Sequence, residues 1–353
     1  MKKTALGIVG ILAILILFFL LRSAPIDPAA YLPPPSRPLT GVLASNTLLG
    51  GAELLAPGRI DGPEEVALDR EGRVYGGTQG GKIVRLLADG TLEIFAETHG
   101  RPLGLRFDKN QNLIVCDSCK GLLSINPRGA ITVLATSADG VAFRFTDALD
   151  IASDGTVYFT DASARFVQDE YLYDLLESRP HGRFMSYDPA TGQVDVLMKD
   201  LYFANGVALS QNEDFVLINE TYRYRIIRYW LKGPGAGTHE VFIDNLPGFP
   251  DNISSNRKGT FWLALFTVRN ETVDKLHPFP FLKAQLSKLP KALWPRPKPY
   301  GLVLALDERG KIIQSLHEPT GNHLKEITSA REYGGYLYLG SLHNDRIGKY
   351  KLP

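Results

Sequence analysis

One interval recurs along this chain and limits what it can fold into: a residue before a short apolar run, and ten positions later the next such run. Glu64 stands ten ahead of Val74, Leu103 of Leu113, Asp147 of Val157, Asn205 of Phe215 and Asp251 of Phe261. Four of these five leading positions carry a side-chain oxygen. Each pair opens a unit of about forty residues in which apolar runs of strand length are separated by Gly, Asp and Asn turns. A sixth unit runs from Ile327 and Thr328 through Tyr336, Leu337 and Tyr338 to Ile347 and Tyr350. Long stretches of helical period are scarce, so the reading is all-β. A single small sheet cannot bury both faces alone, so repeated multi-strand units predict a six-bladed β-propeller, one domain over residues 48–353. The early run at residues 52–55 is expected to complete the sixth sheet, removing an open edge.

In a propeller the first strand of every blade borders the central channel, so repeat-equivalent residues at its start form a ring at one mouth. Glu64, Asp147, Asn205 and Asp251, with Asn252 beside the last, would meet there as three carboxylates and two amides. Oxygen donors in a loose cage suit Ca²⁺, whereas Zn²⁺ calls for His or Cys and Mg²⁺ for tighter octahedral geometry. The plain alternative is that these are turn residues bonding their own backbone. Against it stands the repulsion among three carboxylates at one mouth, which a cation resolves.

The stretches Gly62-Pro63-Glu64, residues 100–107 (Gly-Arg-Pro-Leu-Gly-Leu-Arg-Phe), residues 203–207 (Phe-Ala-Asn-Gly-Val) and residues 300–303 (Tyr-Gly-Leu-Val) carry a resemblance. Over about residues 48–352 the chain resembles the strictosidine synthase-like proteins, part of a wider set of six-bladed propellers with paraoxonases, gluconolactonases (SMP-30) and diisopropylfluorophosphatase. The resemblance implies a Ca²⁺ at the channel mouth, at the positions matched by Glu64, Asn205 and Asp251, with Asp147 and Asn252 as further ligands. Two departures matter. Leu103 stands where paraoxonases carry a histidine, and Lys325 stands where strictosidine synthases carry a catalytic glutamate. The expected function is therefore Ca²⁺-dependent hydrolysis of a small ester or lactone, the metal polarising the carbonyl and a ligand carboxylate activating water or attacking directly. Asp251 is the first candidate for that carboxylate and Glu64 the second. His323 is a further catalytic candidate, since it lies where the sixth unit reaches the mouth. A membrane-tethered binding propeller with a structural calcium is the alternative, and a carbon–nitrogen bond-forming synthase ranks below both because of Lys325.

Upstream of the repeats, Lys2 and Lys3 precede a charge-free run over residues 4–21 that ends at Arg22. Eighteen such residues just suffice to cross a bilayer, so residues 1–22 are expected to be an uncleaved transmembrane signal anchor. Basic residues before the span place the rest of the chain in the periplasm, a lumen or the exterior. Residues 23–47, with prolines at 25, 28, 33, 34, 35 and 38, read as an extended tether. A net charge of +1 leaves no basic face for nucleic acid. Cys116 and Cys119 flank a turn, as a small disulfide or two packed thiols. A basic, amphipathic excursion at about residues 268–299 interrupts the fifth unit, as a loop packed over the blade or as a lid that narrows the pocket or touches the bilayer. Gly76-Gly77 and Gly80-Gly81 read as hairpin turns.

Overall fold

Short apolar runs cut by turns bury both faces only by stacking, and the chain stacks them in a ring. The computed structural model describes Leu6 and residues 17–353. Most of the anchor expected at residues 1–22 lies outside the described residues, and among the described residues no helix is long and apolar enough to cross a membrane. Six four-stranded antiparallel sheets follow one another in chain order. Their first strands are Val66–Leu68, Pro102–Phe107, Thr146–Ile151, Ala204–Leu209, Gly248–Ser255 and Ile327–Tyr333, in blades 1 to 6. Each packs against the first strands of its two neighbours, and the sixth packs back on the first, so the ring closes around a central axis. The sixth sheet takes its outer strand from the far end of the chain: Glu53–Leu55 pairs antiparallel with Ile347–Lys351, as residues 52–55 led us to expect.

Apolar side chains fill the wedges between blades. Tyr75, Leu105, Leu113 and Leu123 are shared by blades 1 and 2, and Leu217, Ile253, Phe261 and Leu304 by blades 4 and 5. Near the axis the blades come so close that some positions have no room for a Cβ. One added at Gly104 would lie 2.6 Å from the Asp147 carbonyl oxygen, and one at Gly340 would strike the Glu64 carbonyl. Gly76 and Gly77 are strand residues rather than a hairpin turn, within Val74–Gly77, and a Cβ on Gly77 would meet the Pro102 carbonyl at 2.5 Å. Close approach explains these glycines; turn geometry does not.

The aperiodic parts of the chain converge on one face. Between the second and third strands of blade 3 the chain forms the helix Tyr171–Glu177, which no periodicity announced. The blade 5 excursion folds into helices Glu271–Leu276 and Pro280–Ser287 with a 3₁₀ turn Lys291–Leu293. The Pro-rich segment expected as a tether is extended, but it lies on these elements as a strap. Ala29 N–H donates to Glu177 O at 2.8 Å and Tyr31 N–H to His277 O at 3.1 Å. Arg269 reaches the Pro34 carbonyl at 2.8 Å, and Tyr31 lies under Arg223 with the guanidinium 3.9 Å from its ring centre. Strap and helices are joined at a buried node where Lys283 Nζ donates to Ala29 O and to Ser178 Oγ, the latter also 3.1 Å from His277 Nδ1. Burial, with Lys283 beside it, pushes His277 down to about 3, so this imidazole is neutral at physiological pH.

Both cysteines are free, Cys116 buried in Leu113–Asp117 and Cys119 exposed in the following turn, so the pair is neither a disulfide nor two packed thiols. A thiol-reactive dye should therefore label one cysteine in the native protein and two after denaturation; two native labels would contradict this packing.

Candidate functional site

All six repeat-equivalent residues reach the wall of a single cavity on the axis: Glu64, Leu103, Asp147, Asn205, Asp251 and Thr328. A local irregularity aims them there. The pairing between first and second strands slips between Pro102 and Leu105, Thr146 and Leu149, Ala204 and Val207, and Pro250 and Ile253. Each slip brackets the ring residue, and a bulge of this kind breaks the strict alternation and re-aims a side chain. The backbone behind the ring is fastened by polar side chains of the neighbouring blades. Thr160 donates to Asn205 O at 2.8 Å, Thr221 to Pro250 O at 2.7 Å, and Asn219 Nδ2 to Asp251 O. Thr328 and Ser329 both donate to Glu64 O, at 2.6 and 2.9 Å.

Burial makes this ring electrostatically costly. Desolvation first, then the charges of Asp251 and Asp147, drive the Glu64 carboxyl well above the usual range. Asp147 is driven the same way, by burial and then by Asp251. Burial pushes Asp251 up to about 8 despite hydrogen bonds from Asn205 and the Asn252 backbone that favour its ionised form. Arg101 is the cation that acts against both Glu64 and Asp147, and one guanidinium cannot neutralise three carboxylates. Farther along the same strands the acids are paired instead: Glu65 with Arg106, and Asp150 with Arg257 at 3.1 Å.

Two acceptors in the ring lack partners. Glu64 Oε2 and Asn205 Oδ1 are buried and receive no hydrogen bond from the described residues, and each such orphan costs about 1–3 kcal/mol. Among the described residues no three His, Cys, Asp or Glu side chains stand close enough to form a ready-made metal group. The candidate set is mixed, three acids and an amide on one cavity wall, and unpartnered acceptors beside like charges fit a hard divalent cation.

Asn252 and His323 stand elsewhere than expected. Asn252 does not line the cavity; its Nδ2 donates to Glu64 Oε1 at 2.7 Å, fixing one oxygen of Glu64 and leaving the other free. His323 is outside the wall, with Nε2 2.8 Å from Ala52 O on the segment leading into the closing strand. Thr328 and Arg101 were missed as site residues. The signal for Thr328 was available, since it precedes Tyr338 by the same ten positions.

Above the ring the cavity is apolar and walled by the excursions. Phe203 and Phe249 sit beside the acids, Tyr171 and Leu175 come from the blade 3 helix, and Val273 and Trp294 from blade 5. Trp294 packs edge-on against Tyr173, joining the two excursions. The blade 5 excursion thus supplies part of the cavity wall.

The chain matches the family models "Strictosidine synthase" over residues 147–234 and "Strictosidine synthase-like, N-terminal" over residues 41–86. It is 35% identical to adipocyte plasma membrane-associated protein of Rattus norvegicus, across 94% of each chain. It is 36% identical to strictosidine synthase-like protein 4 of Arabidopsis thaliana, across 88% of this chain and 84% of that one. Among solved structures it is similar in fold to a gluconolactonase from Xanthomonas campestris, with TM-score 0.63 and 18% identity over 94% of this chain and 99% of the other. A calcium-binding regucalcin from Agrobacterium tumefaciens shares the fold at TM-score 0.61 and 15% identity, over 85% and 93%.

Proposed function

This chain belongs to the strictosidine synthase-like family of six-bladed propellers, and from that premise we propose that it is a Ca²⁺-dependent hydrolase of small ester or lactone substrates. The observation that carries this reading is the ring itself: three buried acids and two orphaned acceptors at the floor of an apolar cavity. Glu64, Asp147, Asn205 and Asp251 would hold the ion, with Asn252 steadying Glu64 through its amide. The chemistry calcium supplies there is Lewis-acid polarisation of the substrate carbonyl. Asp251 takes the proton of the attacking water, since it stands in the cavity wall beside the other acids and a carboxylate there reaches a water held over the ring. Glu64 Oε2 is the second candidate for that proton. Phe203, Phe249 and Trp294 hold the acyl or aromatic body of the substrate and exclude bulk water, which strengthens every charge interaction below them. His323 has no part in this scheme, since its ring serves the Ala52 carbonyl.

One observation favours a second reading, a tethered binding propeller with a structural calcium: among the described residues no histidine lines the cavity, and Leu103 occupies the second ring position. The name of the Rattus norvegicus relative and the charge-free run at residues 4–21 support membrane attachment by an N-terminal anchor, with the propeller in the periplasm, a lumen or the exterior.

Metal analysis of the purified protein beside a panel of phenyl esters and lactones tests the enzymatic reading. We expect bound calcium, and turnover that falls at least 10²-fold with chelator and returns with added Ca²⁺. Bound calcium with no turnover on any substrate would favour the binding reading. Turnover indifferent to chelator would overturn the metal's role.

A further inference from the structure

The excursion that walls the cavity turns an apolar face outward. Phe279 is 54% exposed, Phe281 62%, Leu282 48% and Leu293 66%, within a span of fifteen residues. This is not a frayed segment, because the opposite side of helix Pro280–Ser287 is anchored by buried Lys283 and Ser287. Large apolar side chains left in water on a seated helix mark a surface that something covers.

Charge and continuity indicate what covers it. Residues 271–299 hold six Lys or Arg against two acids, while the whole chain carries only +1. Lys275, Lys291, Arg296 and Lys298 are exposed around the apolar face. Lys288 Nζ donates to the carbonyls of Phe19 and Leu20, at 3.1 Å each, and lies 5.5 Å from the Phe19 ring centre. The excursion is thus tied to the end of the charge-free apolar run, beside Phe18 and Leu21, themselves 70% and 76% exposed. A second copy of the same face is a poor occupant, since two cationic surfaces repel.

We propose that this face docks on a bilayer surface bearing anionic headgroups. Phe279, Phe281, Leu282 and Leu293 enter the interfacial region, and the surrounding lysines and arginine meet the lipid phosphates. Lys291 and Arg296 also line the cavity, so its mouth opens beside the lipid. This holds whether the cavity hydrolyses its ligand or only binds it.

The test uses the full-length chain with exposed Cys119→Ser, a single new cysteine as Phe281→Cys or Leu293→Cys, and an environment-sensitive dye on that thiol. The control is Thr191→Cys, in the exposed turn at the far end of blade 3. The proteins are reconstituted into phosphatidylcholine vesicles with and without phosphatidylserine. With phosphatidylserine, labels at 281 and 293 should show blue-shifted emission, severalfold weaker quenching by iodide and strong quenching by lipid-borne nitroxide, while the label at 191 stays water-accessible. Iodide access at 281 and 293 equal to that at 191 would overturn the proposal. So would shielding from iodide without nitroxide quenching, which would mean a protein covers the face. Equal insertion with and without phosphatidylserine would refute the role given to the cations.

Discussion

Replacing Asp251 with asparagine should lower calcium-dependent turnover by on the order of 10³-fold while making the metal-free protein more stable than the parent. The two effects share one origin. In the parent, burial holds Asp251 up to about 8 from an ordinary 3.8, and the Glu64 and Asp147 carboxyls are raised first by the same burial and then by neighbouring acids. A carboxyl whose affinity for its proton is higher folded than unfolded gives its full stability below the unfolded value, and that stability is lost as pH rises through the folded one. Metal-free parent protein should therefore weaken between about pH 4 and about pH 8, and the asparagine variant should weaken less. Calcium reverses the ranking. It binds the folded parent and adds about 2.7 kcal/mol at a hundredfold excess over its dissociation constant, whereas the variant has lost one of its charges. Thermal melts of both proteins, with calcium and with chelator, across that pH range decide the matter. A variant that gains as much from calcium as the parent would remove Asp251 from the ion's shell.

The second large effect comes from a residue with no side chain. A Cβ at position 206 would lie 2.5 Å from both Asp251 O and Ile253 N and 2.7 Å from Asn252 Cα, all backbone atoms of the neighbouring blade's first strand. A flexible side chain could swing away from such contact, but a strand bonded on its other edge cannot. Gly206→Ala should therefore cost on the order of 3 kcal/mol and displace Asp251 and Asn252, so that calcium affinity and turnover fall together. Gly50→Ala is the matched control, because nothing lies within 4 Å of the Cβ it adds. Chemical denaturation with a calcium titration reads both consequences. Finding Gly206→Ala as stable as the control, with calcium affinity intact, would mean that the blades are not packed this closely at the axis.

These two residues also show how much of the site could be read in advance. Asp251 was legible because it shares a repeat position with Glu64, Asp147 and Asn205, and ring closure sends equivalent positions to one axis. Gly206 was visible only as part of a family-like stretch, and its reason for being glycine lies in residues more than forty positions away. His323 shows the limit of that logic. Its place in the sixth unit pointed to the mouth, but it stands outside the repeat-equivalent position and turns to Ala52. Asn252 was expected to face the axis and instead braces Glu64 across 188 positions of sequence.

What the amino-acid order by itself determined is therefore the periodic part: six sheets, closure by residues 53–55, and which side chains sit at equivalent starts of the inner strands. Strand alternation and turn chemistry are local properties, so they repeat visibly along a chain. Only the tertiary structure decided the direction of each side chain at the slipped inner-strand pairings, the bond from Asn252 to Glu64, and the laying of the Pro-rich strap across the helices that wall the cavity. Those outcomes depend on contacts between segments far apart in the chain, and no local pattern of residues encodes which distant surface will be there to meet them.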